Sequence, residues 1–164
     1  FAARYPDQPT LCQESAMDEG QRTEFLAQFL ARDGKPLLGF AVLGGVFGEG
    51  VDLTGESLIG VAVVSPGLPQ IGPRQEQLRD YFEETRGAGF DYAYRYPGMN
   101  KVLQAAGRVI RTPQDRGVVL LIDDRFLAPD TRRLMPPHWE HLRVVDSADA
   151  WKDELAAFWK KHEP

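Results

Sequence analysis

Residues Leu58–Ser65 read LIGVAVVS, and residues Val118–Asp123 read VVLLID. Both are unbroken apolar runs of strand length rather than alternating ones. Such runs mark strands covered on both faces, the habit of a parallel sheet packed between helices. Working outward, Lys35–Leu43 is a third run of this kind, rich in Leu, Phe and Val, and Thr10–Gln13 is a short strand candidate. Leu142–Val145 is another. Amphipathic stretches lie between them. Ser15 with Asp18 reads as a helix start, and Phe25, Leu26, Phe29 and Leu30 fall at helical spacing, so a helix is expected from Asp18 to Ala31, stopped by Asp33-Gly34. Arg74–Thr85 reads as a second helix, with Leu78, Tyr81 and Phe82 apolar, broken at Gly87–Gly89. Asn100–Arg111 reads as a third, ended by Thr112-Pro113. After a cap at Asp146 or Ser147, the spacing of Trp151, Leu155, Phe158, Trp159 and His162 predicts one face of a docked C-terminal helix. The alternation of strands and helices predicts an α/β fold, a three-layer domain with a mainly parallel sheet, with residues 1–164 as one domain. In such sheets ligands bind beyond the carboxyl ends of the strands, here the loops after Leu43, Ser65 and Asp123.

Composition narrows the function classes. The 164 residues are 43% hydrophobic and 26% charged, enough for a substantial core and against intrinsic disorder. No apolar run approaches the roughly 18–20 residues of a membrane helix. A single cysteine, Cys12, excludes an intramolecular disulfide framework and any Cys-only metal or iron–sulfur site within the sequence. It fits a reducing cytoplasm. The sequence begins at Phe1 without an initiator Met and shows no basic-then-apolar leader, so residue 1 is expected to be a cut point inside a longer chain. A net charge of -5 argues against a free-standing, non-specific DNA binder. Yet Lys101–Arg133 holds seven Lys/Arg against four Asp/Glu. That is a basic patch on an acidic body, which suits an anion site or an ordinary solvated face.

Three stretches offer chemistry. Gly44–Asp52, GGVFGEGVD, follows a strand, where glycines let backbone approach a phosphate. It matches neither the dinucleotide fingerprint nor the Walker A loop, and taken alone it reads as a structural turn. Glu49 and Asp52 would place two carboxylates at a sheet edge. In Gln104–Arg111, QAAGRVIR, a continuous helix would align Gln104, Arg108 and Arg111 on one face at i, i+4 and i+7, with Gly107 allowing close packing beside them. Two guanidinium forks and an amide suit a triphosphate; a solvated, salt-bridged face is the competing explanation. Third, Asp115-Arg116-Gly117 leads into VVLLID and Asp124-Arg125-Phe126, where Asp123 at a strand end is expected to pair with an arginine in a structural role.

Taken together, GGVFGEGVDL and QAAGRVIRTPQDRGVVLLIDDRF resemble motifs V and VI of the XPD/DinG-like DNA helicases of superfamily two. The resemblance runs from about Ser15 to Arg133, and motif VI with its tail is its most specific part. It implies the second, C-terminal RecA-like motor domain of such a helicase. The first motor domain would be its partner in the same polypeptide, supplying the phosphate loop, the Mg-binding acid and the iron–sulfur cysteines. ATP and Mg2+ would sit between the two, and the fragment alone would not hydrolyse ATP. By resemblance, Arg111 is the arginine finger, Arg108 faces the γ-phosphate beside it, and Gln104 senses the γ-phosphate or positions the water. Glu49, Gly50, Asp52 and Gly107 would belong to the nucleotide-binding set, the two acids coupling it to DNA. Single-stranded and duplex DNA would be the substrate, with 5′→3′ polarity, in the cytoplasm or at a bacterial nucleoid.

Weaker features have plainer explanations. Tyr92, Tyr94 and Tyr96 alternate as if to stack on bases, but packing suffices. His138 and His141 stand three apart without further ligands, so no metal is expected. Two rivals stand beside the motor reading. One is a catalytically inactive binding module for nucleic acid or a repair partner, derived from a helicase half. The other is an unrelated α/β enzyme with a nucleotide at Gly44–Gly50.

Overall fold

The computed structural model describes residues 1–30, 36–47, 53 and 57–161. The chain divides into two compact units, Phe1–Leu134 and Met135–Pro164. The first is α/β, as the alternation predicted, and its strand pairing is parallel.

Strand β1 (Thr10–Cys12) pairs with β2 (Leu38–Phe40), and helix α1 (Glu19–Leu30) crosses between them. The helix starts at Asp18 in a reciprocal cap. Asp18 Oδ1 accepts from the Gln21 amide at 2.8 Å, and Gln21 Oε1 accepts from the Asp18 amide at 2.9 Å. The box is thus Asp18 with Gln21, not Ser15 with Asp18. Phe25 and Phe29 of α1 are buried with Leu53, and Leu11, Met17, Leu26, Leu37, Phe47 and Leu58 pack around them. Gly39 of β2 lies directly beneath Phe29; a Cβ there would be 2.6 Å from the ring. The run Lys35–Leu43 was expected to be strand throughout, but β2 holds three residues. Its partner is equally short, and past Phe40 the Val42 amide turns to the Gln13 side chain at 2.9 Å instead of a strand.

Strand β3 (Gly60–Val64) pairs with β4 (Val118–Ile122) in register from Gly60↔Val118 to Val64↔Ile122. Helices α2 (Pro73–Arg86) and α3 (Tyr96–Ala106) lie between them in sequence. Helix α2 ends at Gly87, whose φ of 62° is the left-handed cap that glycine adopts without strain. Burial on both faces, expected from LIGVAVVS, is not what forms. Val63 is 3% exposed but Val64 is 70% exposed, because α3 packs on one side of this two-stranded ladder. Met99, Val102 and Ala106 of α3 are the buried counterpart.

A π-helical turn, Asp91–Arg95, feeds α3. It explains Tyr92, Tyr94 and Tyr96 as packing. Tyr92 stacks on Phe82 at 4.2 Å, Tyr96 meets Tyr92 edge-on, and buried Tyr94 donates its hydroxyl to Glu76.

In the second unit, helix α5 (Ala148–Lys161) follows Ser147, whose Oγ accepts from the Ala150 amide at 3.2 Å. At the end of the first unit, α4 (Pro129–Arg132) is a single helical turn. Trp151, Leu155, Phe158 and Trp159 of α5 are half-buried, so the periodic face exists, though no residue of α5 is fully buried. His162 lies outside the described residues. Leu142–Val145 is not a strand; Arg143 within it reaches α5 by an ion pair to Glu154 at 2.9 Å.

Candidate functional site

The sequence reading placed Gln104, Arg108 and Arg111 on one helical face. The structure ends α3 at Ala106. The last turn then tightens: the Arg108 amide donates to Ala105 O and the Val109 amide to Ala106 O, at 3.2 and 3.1 Å. Gln104 is exposed on the helix, while Arg108 and Arg111 are half-buried in the connection that follows. The continuous stripe is therefore replaced by a helix end and a shaped turn. Gly107 is packed closely against its own helix. It has a helical φ of -65°, and a Cβ there would meet carbonyls of its own helix, the nearer being Leu103 O at 3.2 Å.

The packing glycine of this region is Gly117. A Cβ on it would lie 2.2 Å from Val109 Cγ1 and 2.9 Å from Ile59 O. Val109 is 2% exposed, so the segment dips into the core two residues before Arg111. Four residues after Arg111, Asp115 closes the turn. Its Oδ2 accepts from the Arg111 amide at 2.9 Å and the Thr112 amide at 2.8 Å, and its own amide donates to Thr112 O at 3.1 Å. Those two amides, with the Thr112 hydroxyl, hold the Asp115 carboxyl below the usual carboxylate range. The spacing of Asp115 to Arg111 is legible in sequence, but the fold of the turn is not.

A second cluster forms at the carboxyl ends of the strands. Asp123, just past β4, accepts from Arg125 Nε at 2.8 Å and from a terminal guanidinium nitrogen at 2.6 Å. This is the expected Asp–Arg pairing. The same guanidinium nitrogen donates to Ser65 Oγ at 2.9 Å, tying the end of β4 to the end of β3. The Arg125 hydrogen bonds draw the Asp123 carboxyl down to about 2. Ser65 has φ 74°, a left-handed conformation uncommon outside glycine. The tie to Arg125 was not visible in sequence, because it joins residues 60 positions apart.

Lys101 was also missed. Its stem crosses Gly44, where a Cβ would be 2.7 Å from Lys101 Cδ, and approaches Gly67 at 3.5 Å. Gly44 also needs its φ of 75°. Gly98 lets α3 touch the loop after β3; a Cβ there would lie 2.7 Å from Pro66 O. Helix α3 thus runs from the carboxyl end of β3, at Pro66, toward the amino ends of β3 and β4, at Ile59 and Gly117. The arginine turn lies on the amino-terminal side of β4, opposite the loops where ligands were expected.

Glu49, Gly50 and Asp52 lie outside the described residues. Among the described residues no group of three His, Cys, Asp or Glu is arranged to hold a metal, and no helix is long and apolar enough to cross a membrane. An open groove of about 410 Å³ borders α1, lined in part by Cys12, Met17, Glu24 and Phe25, and includes none of the candidate residues.

Residues 2–142 match the family model described as the helicase C-terminal domain. The chain is 32% identical over 157 residues to the human Regulator of telomere elongation helicase 1, covering 87% of this chain and 13% of that protein. It is 33% identical over 98 residues to the ATP-dependent DNA helicase DinG of Photobacterium profundum, covering 58% of this chain and 14% of that protein. A solved structure of an XPD helicase shares the fold with a TM-score of 0.61 at 19% identity, covering 77% of this chain and 23% of that one. The chain therefore spans a small fraction of the length of the relatives it matches.

Proposed function

The chain belongs to the helicase C-terminal domain family of the XPD/DinG-like superfamily-two helicases, and from that membership we propose that it is the second RecA-like motor domain of an ATP-dependent DNA helicase. One observation carries the mechanism. A single helix, α3, joins the arginine turn at one end of the sheet to the loops after β2 and β3 at the other.

Phosphoryl transfer to water demands positioning and charge neutralisation more than covalent help. An arginine finger is worth about 10³–10⁵ in rate. Arg111 is the finger, presented toward a nucleotide bound on the first motor domain. Arg108 stands three residues earlier on the same connection and shares the γ-phosphate. Gln104 projects from the last turn of α3, where it senses the γ-phosphate or orients the attacking water. ATP with its Mg2+ supplies the leaving group and its charge screening. Glu49, Gly50 and Asp52 follow the Gly44 turn and couple nucleotide state to the DNA track, and Gly107 supplies the helix end from which the arginine connection departs.

The other end of α3 faces the nucleic acid. Lys101 crosses Gly44 and approaches Gly67, and the Ser65–Pro69 loop is pinned to β4 through Arg125. Displacement of the arginine turn on hydrolysis moves α3 as a unit, and with it these loops. Stepping along one strand follows from repeated opening and closing of the cleft between the motor domains.

The test is strand separation by the full-length protein on duplex DNA carrying either a 5′ or a 3′ single-stranded tail. ATP-dependent separation from the 5′ tail is expected. A folded protein that binds DNA but neither separates strands nor hydrolyses ATP would instead be the inactive binding module.

A further inference from the structure

The turn that follows Arg111 is built around one carboxylate. Asp115 Oδ2 receives both the Arg111 amide, at 2.9 Å, and the Thr112 amide, at 2.8 Å. The Asp115 amide closes the same ring onto Thr112 O at 3.1 Å, and Pro113 stiffens it from within. On the other side, Val109 is anchored in the core against Gly117. Arg111 is thus held between a buried anchor two residues before it and a carboxylate clamp four residues after it. The two amides fix the backbone at Arg111 and Thr112, five residues and more beyond the end of α3.

We propose that Asp115 is the positioning residue for Arg111: its carboxylate fixes the backbone from which the guanidinium reaches the nucleotide. This rests on the reading of Arg111 as the finger. Asp115 touches no phosphate in this scheme. Its effect is geometric, and misplacement of a catalytic group by about 1 Å can cost ~10²-fold in rate. Both amides converge on one oxygen, and the Thr112 hydroxyl and the charge of Arg111 act on the carboxylate besides. An asparagine can present its single carbonyl oxygen to the same two amides, whereas alanine presents nothing.

The experiment uses the full-length protein, with single-stranded DNA present, and measures kcat and KM for ATP in Asp115→Ala, Asp115→Asn, Arg111→Ala and the Arg111→Ala/Asp115→Ala pair. Thermal unfolding of each variant accompanies the kinetics. The expected result has three parts. Asp115→Ala lowers kcat by about tenfold or more with KM for ATP changed less than about threefold, as for a group acting in the transition state. Asp115→Asn recovers most of that loss. The double variant is no slower than Arg111→Ala alone, because two residues acting through one group are not additive.

A merely structural Asp115 would behave otherwise. The double variant would then be slower than Arg111→Ala by the full single-variant factor, and that result overturns the proposal. So does an Asp115→Ala protein with unchanged kcat while Arg111→Ala collapses. If Arg111→Ala itself turns over normally, the finger reading fails first and the positioning role falls with it. Should Asp115→Ala fail to fold, Asp115→Asn decides: near-normal turnover supports the clamp, and a collapse equal to that of Arg111→Ala contradicts it.

Discussion

Asp123 and Asp115 are both acids beside arginines in the sequence, yet they do different things. Asp123 is bound by the Arg125 side chain and ties two strand ends together. Asp115 is bound by backbone amides and shapes a turn. The Asp123 carboxyl is lowered from 3.8 to about 2 in the folded protein. A group with a depressed folded value stabilises above its unfolded value and loses that contribution as pH falls through the folded one. Stability from this pair is therefore complete above about pH 4 and disappears toward pH 2. Asp123→Asn should flatten that part of the acid limb in denaturant unfolding across a pH series. Superimposable acid limbs for wild type and variant would show that the pair adds nothing. The Asp123 pairing was legible because a strand-end acid two residues before an arginine has few other options. The Asp115 clamp was not, since the two amides that close it are main-chain groups that carry no residue signature.

Helix α3 and the β3–β4 ladder are where sequence patterning was most and least informative. The strands were placed to within two residues by their apolar runs, because β-branched residues in an unbroken row suit little else. Their burial was not, because covering a face depends on which neighbours pack against it, and Val64 and Ile122 remain exposed. Helix α3 was displaced: periodicity alone ran it to Arg111, whereas the Asp115 clamp takes the Arg111 amide and the chain leaves the helix at Gly107. Gly117 is the element's tightest joint. Gly117→Ala should destabilise by about 1–3 kcal/mol through overpacking against Val109 and the Ile59 carbonyl, read by urea unfolding. Met99, 2% exposed on the inner face of α3, should cost about 2–5 kcal/mol when truncated to alanine. A loss below about 1 kcal/mol at both positions would mean that α3 is not seated on the sheet as described.

For the molecule, the sequence motifs led to the family before the geometry did. The residue types of QAAGRVIRTPQDRG survive any error in helix length, so family membership was legible from them even though the helical stripe they suggested does not form. What could not be read was which loops the two ends of α3 meet, since Lys101 reaches Gly44 and Gly67 only through the fold. The basic stretch Lys101–Arg133 is also less free than its count suggests: Arg125 is paired with Asp123, and Arg133 with Asp130. The central claim is that Arg111 completes an ATP site shared with a first motor domain. Its most direct test is ATP turnover by the full-length protein, with and without single-stranded DNA, beside Arg111→Ala, with nucleotide affinity measured in parallel. DNA-stimulated turnover that falls by about 10³-fold or more in the variant, with ATP still bound, is the predicted result. Turnover indifferent to Arg111 would contradict it.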